Sequence, residues 1–310
     1  MNTLIGTADA LLPTLDDQRL SLPATKTGEL QRAALRVLLE HHKTGMLPTS
    51  IRFVFYELEQ QGAISKVTGK PIVSKVATGA RRADQDLTDA IMDLRERKII
   101  PFHWIEDETR SVTTYYASVS VKTYLIEATS RARINPWSDE PAPLILTESR
   151  SLAGILDSLL AKYVVPSSSN NGQSGGHLRN EVLPVYRDQC NRRVLYLGDM
   201  DRSGGHIEQN IRAVLEREGG SATFWERIAI TQEQIVRYQL TPILKNDKRY
   251  KNGGGEHEAW ETEALSQAII VSLVRDRLDA LLPESLASVQ ERERGERDRA
   301  RRRIARWRGK

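Results

Sequence analysis

The chain of 310 residues is expected to fold as a mixed α/β protein, with helices gathered in its first third and a parallel sheet behind them. Two observations carry that expectation. The apolar runs at 143–147 and 194–197 each end at an acid and are each followed by a helical repeat, the pattern of buried parallel strands joined by crossovers. Ahead of them, three amphipathic stripes recur at helical spacing, and a proline-bearing break at 135–143 separates the two regimes.

Composition fits a soluble globular protein, with 39% hydrophobic and 28% charged residues, and the length suffices for two compact domains. Cys190 is the single cysteine, in a polar stretch, so an internal disulfide is excluded and the residue reads as an incidental thiol. The N-terminus has no basic region leading into an apolar core, and no run of about 18 apolar residues occurs, so secretion and membrane spanning are disfavoured and a cytoplasmic, nucleoid-associated location is expected. Ten basic and four acidic residues between Glu291 and Lys310 give that tail more than the whole net charge of +4. A solvated helical extension and a phosphate-contacting arm both suit it.

In chain order, residues 1–24 read as an N-terminal arm. Leu30, Ala34, Leu35, Leu38 and Leu39 make one stripe of a helix over 29–42, punctuated by Gly28 and Gly45. His41 and His42 at its end read as surface groups. Thr49 or Ser50 caps a second helix whose apolar face is Ile51, Val54, Phe55 and Leu58. A loop carrying Lys66, Lys70 and Lys75 leads to a third helix over 80–97, opened by Arg81 and Arg82 and burying Leu87, Ala90, Ile91 and Leu94. Residues 99–105 read as a strand and 107–110 as a turn. Three helices and a β-wing predict a winged-helix DNA-binding domain over 25–117, with those five basic residues as candidate backbone contacts.

A linker helix is expected within 118–142, then the sheet domain over 143–285 and the basic tail over 286–310. Within the sheet domain, 167–176 reads as a flexible loop lacking the Lys-Ser/Thr of a P-loop, and 245–249 as another loop, with helices from about 257.

Three acids stand at the two strand ends: Glu148, and the pair Asp199 and Asp201. Ligands of open α/β sheets bind beyond the carboxyl ends of the strands, where these side chains would converge. Oxygen donors in that number suit Mg2+, and Gly204 and Gly205 would let the chain turn into a helix whose N-terminus favours phosphate. Taken singly, an Asp-x-Asp pair is also what two helix caps look like. On the second helix, Arg52 and Tyr56 lie one turn apart and away from the apolar stripe, which predicts that Tyr56 is not part of the core. A phenol beside a guanidinium has the parts for transesterification at phosphorus. Phe53 is off the stripe as well, so a second packed face on this helix is the alternative.

The segment 51–56, Ile-Arg-Phe-Val-Phe-Tyr, followed by Glu148 and by Gly-Asp-Met-Asp-Arg-Ser-Gly at 198–204, resembles the topoisomerase VI A subunit and its meiotic double-strand-break relatives in order and approximate spacing. The similarity covers roughly residues 30–285, and Trp-Glu-Thr-Glu-Ala-Leu at 260–265 corresponds to that family's C-terminal acidic helix. It implies a Toprim-like sheet domain, Tyr56 as the nucleophile that forms a 5′-phosphotyrosyl link to double-stranded DNA, Arg52 as its electrostatic support, and Glu148, Asp199 and Asp201 as Mg2+ ligands. It also implies a homodimer in which the tyrosine of one subunit works with the metal of the other. Ser149 stands where relatives frequently have lysine, and the chain has no ATPase domain, so strand passage would need a separate ATPase subunit. Two other readings keep the same residues in view: a hydrolytic Toprim nuclease of plasmid or phage defence, in which water attacks and Tyr56 is dispensable, and a DNA-binding protein with a vestigial site.

Overall fold

A computed structural model describes residues 22, 24–63, 83–106, 115, 117–138, 140–169, 175–220, 223–246 and 256–307. Three helices open it: α1 (Lys26–Thr44), α2 (Ile51–Gln60) and α3 (Ala83–Glu96). The Thr25 hydroxyl accepts from the Gly28 amide at the start of α1, and Gly45 ends that helix in the left-handed conformation, φ 70°, that glycine adopts without penalty. Ser50 caps α2 by accepting from the Phe53 amide. Leu35, Leu38, Val54, Leu58, Leu87, Ile91 and Leu94 interlock as one core.

The strand expected over 99–105 does not form. Phe102–Trp104 is a single 3-10 turn, and Ile105 makes only an isolated parallel bridge to Thr49. Pro101 has no N–H to offer a ladder. Ile100, Trp104 and Ile105 are buried around exposed Phe102 and His103, so burial does not alternate and the segment packs onto the helices. The turn at 107–110 lies outside the described residues, as do Lys66, Lys70, Lys75, Arg81 and Arg82. His41 is not a surface group: it is buried, with Nε2 2.7 Å from Glu57 Oε1, while His42 stacks on Trp104 at 5.1 Å between ring centroids. Within the expected linker, α4 spans Val121–Thr129.

Four parallel strands follow, β1 (Ala142–Thr147), β2 (Ser167–Ser169), β3 (Cys190–Leu197) and β4 (Phe224–Ala229), side by side in the order β2-β1-β3-β4. The stretch expected as a loop at 167–176 thus contributes an edge strand. Helices α5 (Arg150–Tyr163), α6 (Leu183–Gln189), α7 (Arg202–Glu218) and α8 (Gln232–Arg237) lie between and after the strands. Next come an antiparallel pair, β5 (Ile243–Asn246) and β6 (Glu256–Ala259), a 3-10 turn at Thr262–Ala264, and helices α9 (Gln267–Leu281) and α10 (Leu286–Arg306). The loop expected at 245–249 is therefore strand where it is described, and the helices expected from about 257 onward do form, but only from Gln267, after β6.

Side chains alternate across the sheet, and both faces are covered. Ile145, Leu195 and Leu197 pack with Leu152, Leu156, Ile270 and Val274 of α5 and α9. Leu144, Leu146, Val194 and Tyr196 pack with Tyr186, Ile211 and Leu215 of α6 and α7. Phe53 joins the first of these two layers, so α2 is shared between the helical core and the sheet. None of the described helices is long and apolar enough to cross a membrane.

Candidate functional site

The strand order reverses between β1 and β3: the chain leaves β1 for β2 on one side, then returns to place β3 and β4 on the other. That reversal opens a crevice beyond the strand ends. Glu148 follows β1 and Asp199 lies two residues past β3. The Glu148 amide donates to the Leu197 carbonyl, and the Asp199 amide donates to Glu148 Oε2, both at 2.9 Å. The two strand-end acids are thus joined directly.

Two glycines shape the loop that follows. A Cβ on Gly198 would collide with the Tyr196 ring, and one on Gly204 would come within 2.5 Å of the Asp199 carbonyl. Only a bare backbone fits, so the chain turns straight from β3 into α7. Asp201 caps that helix, its Oδ1 accepting from the Gly204 amide at 2.6 Å. The cap reading of the Asp-x-Asp pair therefore holds for Asp201, while its Oδ2 stays turned to the crevice and meets Lys245 Nζ at 2.7 Å.

The stretch 261–263 closes the crevice from above. Asp199 Oδ1 accepts from the amide and hydroxyl of Thr262, at 2.9 and 3.2 Å. Glu261 Oε1 lies 3.4 Å from Lys245 Nζ, and Asp199 Oδ2 lies 3.6 Å from it. Arg52 reaches in from α2, with Nη2 3.1 Å from Glu261 Oε2 and Nε 3.0 Å from Glu263 Oε1. Ser149 and Ser151 also donate to Glu263 Oε1, at 2.7 and 3.1 Å. Glu263 is 1% exposed, and its Oε2 has no hydrogen-bond partner among the described residues.

So much negative charge in a buried place moves the acids. Burial and the Asp199 charge push the Glu148 carboxyl up to about 7, against the opposing pull of the Asp199 amide. Burial and Glu263 raise Asp199 in the same way, and burial raises Glu261 although Arg52 works against it. Burial acts on Asp201 too, but the Gly204 amide and Lys245 outweigh it and leave that carboxyl below its ordinary range. Arg52 is held more firmly protonated by Glu263, Glu261 and Asp199 than its burial alone would allow.

Of the residues named from sequence, Glu148, Asp199, Asp201 and Arg52 meet at this crevice. Tyr56 departs from expectation in its surroundings: it is 4% exposed and belongs to the helical core, edge-on to Phe55 at 5.7 Å. Both flanks of α2 are packed, one on the helices and one on the sheet through Phe53, so an off-stripe position is not an exposed one. Lys245 and Thr262 had no motif to betray them. The one signal for Lys245 is its place directly after the apolar pair Ile243-Leu244, as the first of several cations in that stretch.

The donor set is all oxygen from carboxylates and hydroxyls, the chemistry that hard divalent cations prefer, and the raised carboxyls together with the orphaned Glu263 Oε2 are what a dication would relieve. Among the described residues no three acidic, histidine or cysteine side chains are drawn together tightly enough to hold a metal ion as they stand, and Lys245 and Arg52 occupy the space between them. No protein-family model, curated protein or solved structure matches the chain.

Proposed function

We propose that this chain is a Mg2+-dependent enzyme that cuts phosphodiester bonds in double-stranded DNA, with a winged-helix-like module over 25–117 and a Toprim-like domain over 143–285. The observation that carries the reading is the 2.9 Å contact between the Asp199 amide and Glu148 Oε2, which gathers acids from two separate strands at the reversal point of the sheet. Asp199, Asp201 and Glu148 would hold the ion. When bound, Mg2+ supplies electrostatic stabilisation of the phosphate in flight and orients its oxygens. Without the ion, burial and Asp199 hold the Glu148 carboxyl up at about 7, and a bound dication would favour its deprotonated, ligating form.

Two attacking groups are compatible with this site, and each has an observation in its favour. Burial of Tyr56 favours water, and thus a hydrolytic nuclease. Docking of Arg52, one turn from Tyr56, onto Glu261 and Glu263 brings α2 to the acids and favours the topoisomerase VI A-like transesterase, working as a homodimer with a separate ATPase subunit where strand passage is required. The test is incubation of the purified protein with supercoiled DNA and Mg2+, stopped with detergent and resolved with and without protease. Linear product from wild type and from Tyr56→Phe, but none from Asp199→Ala, is the hydrolytic outcome. Protein-linked 5′ ends that vanish in Tyr56→Phe are the transesterase outcome. Absence of Mg2+-dependent cutting would reject both and leave a DNA-binding protein with a vestigial site.

A further inference from the structure

Lys245 is the one described lysine whose ammonium touches the crevice acids, and it touches three: Asp201 Oδ2 at 2.7 Å, Glu261 Oε1 at 3.4 Å and Asp199 Oδ2 at 3.6 Å. It projects from β5, where it pairs in register with His257 of β6. Beyond β6 the backbone is latched to the Asp-x-Asp loop, with Met200 and Trp260 exchanging amide hydrogen bonds of 2.8 and 3.1 Å. The β5–β6 hairpin thus leans over the acids and is tied to the loop that carries two of them.

A lysine ammonium and a hydrated dication ask for the same thing, a concentration of carboxylate oxygens. The oxygens of Asp199 and Asp201 that are not already engaged by Thr262 or Gly204 are the ones that converge on Nζ. A second feature, independent of the lysine, leaves acceptor capacity in the same cluster: Glu263 is buried with Oε1 taken by Arg52 and two serines, while Oε2 has no hydrogen-bond partner among the described residues, a state that costs free energy.

We propose that Lys245 is a built-in counter-ion that competes with divalent metal for Asp199 and Asp201, so that its ammonium sets ion affinity and must leave these oxygens when metal enters. The proposal rests on the metal-site reading given above. With its ammonium in place the two aspartates are neutralised; with it withdrawn, Asp199 Oδ2 and Asp201 Oδ2 are released together.

The probe is Mn2+, titrated calorimetrically and by electron paramagnetic resonance into the full chain, without DNA. Lys245→Met is expected to bind Mn2+ about tenfold more tightly than wild type, on the order of 1.4 kcal/mol. Removing a cation from buried carboxylates lowers stability. The same titration is therefore made on Lys245→Gln, whose amide still donates to Asp201, with circular dichroism to verify folding; an intermediate gain is expected. Asp201→Asn should abolish the gain in the Lys245→Met background. Equal or weaker Mn2+ binding by both lysine variants, with wild-type binding intact, would overturn the lysine's role and leave the metal site standing. No Mn2+ binding by any of the proteins would overturn the metal site, and this proposal with it.

Discussion

Glu148 takes an amide hydrogen bond on one oxygen and faces the charge of Asp199, and burial weighs more than either. With its carboxyl at about 7 in the fold, against about 4.3 in an open chain, the folded protein retains a proton that the unfolded one has lost across that interval. Stability then falls as pH rises through it. Thermal melting in chelator should therefore decline between about pH 5 and about pH 7, and Glu148→Gln should flatten that slope; a profile that climbs over the same range would contradict the assignment. Divalent cation should offset the decline, since it stabilises the deprotonated form. The identity of these acids was legible because each ends an apolar run and precedes a helical one, a pattern written locally. The seclusion of Tyr56 was not legible. A helical wheel describes one helix, and the far flank of α2 is covered by a sheet more than 80 residues away in the chain, through Phe53.

At the level of the element, the turn from β3 into α7 depends on Gly204. A methyl group there meets the Asp199 carbonyl, a backbone atom that cannot swing aside. Gly204→Ala should cost about 1–3 kcal/mol in chemical denaturation and, if Asp199 is a ligand as proposed, weaken metal-dependent stabilisation with it, because the displaced carbonyl belongs to that residue. Loss of stability with Mn2+ affinity unchanged would show that the loop and the site are independent. Strands with a strong apolar signature, β1 and β3, were readable from composition, and so were α1, α2 and α3. The elements that escaped have weak or divided signals. β2 is three serines, held in place by the backbone of β1. The stretch 99–105 has the β-branched and aromatic content of a strand, yet Pro101 and the non-alternating burial turn it into a 3-10 corner. Sequence also pointed to 260–265 by resemblance alone, as an acidic helix; it is a short 3-10 turn preceding α9, and its acids face Arg52 and Lys245.

Across the whole molecule, the helical unit and the sheet unit are joined by buried polar contacts as well as by Phe53. Thr49 Oγ1 donates to Gln267 Oε1 at 2.5 Å, and Gln267 Nε2 donates to the Met46 carbonyl at 2.7 Å. Gln267→Ala removes the partner of the buried Thr49 hydroxyl and of the Met46 carbonyl and should lower stability by about 1–3 kcal/mol. Wild type should unfold in one calorimetric transition, with the variant tending towards two. A variant that melts like wild type would mean that the apolar contact alone couples the units.

Two side chains of α2, Arg52 and Gln60, reach across this interface to the same short stretch of chain. Arg52 binds Glu261 and Glu263, and Gln60 donates to the Ala264 carbonyl. That stretch also supplies the two Thr262 donors that hold Asp199. A tug on the N-terminal helices is therefore passed to Asp199 through a linkage a few residues long. If the proposed DNA and metal roles hold, a duplex gripping the first unit would pull on the acids of the second, and strain in the nucleic acid would register as a change in the grip on the ion.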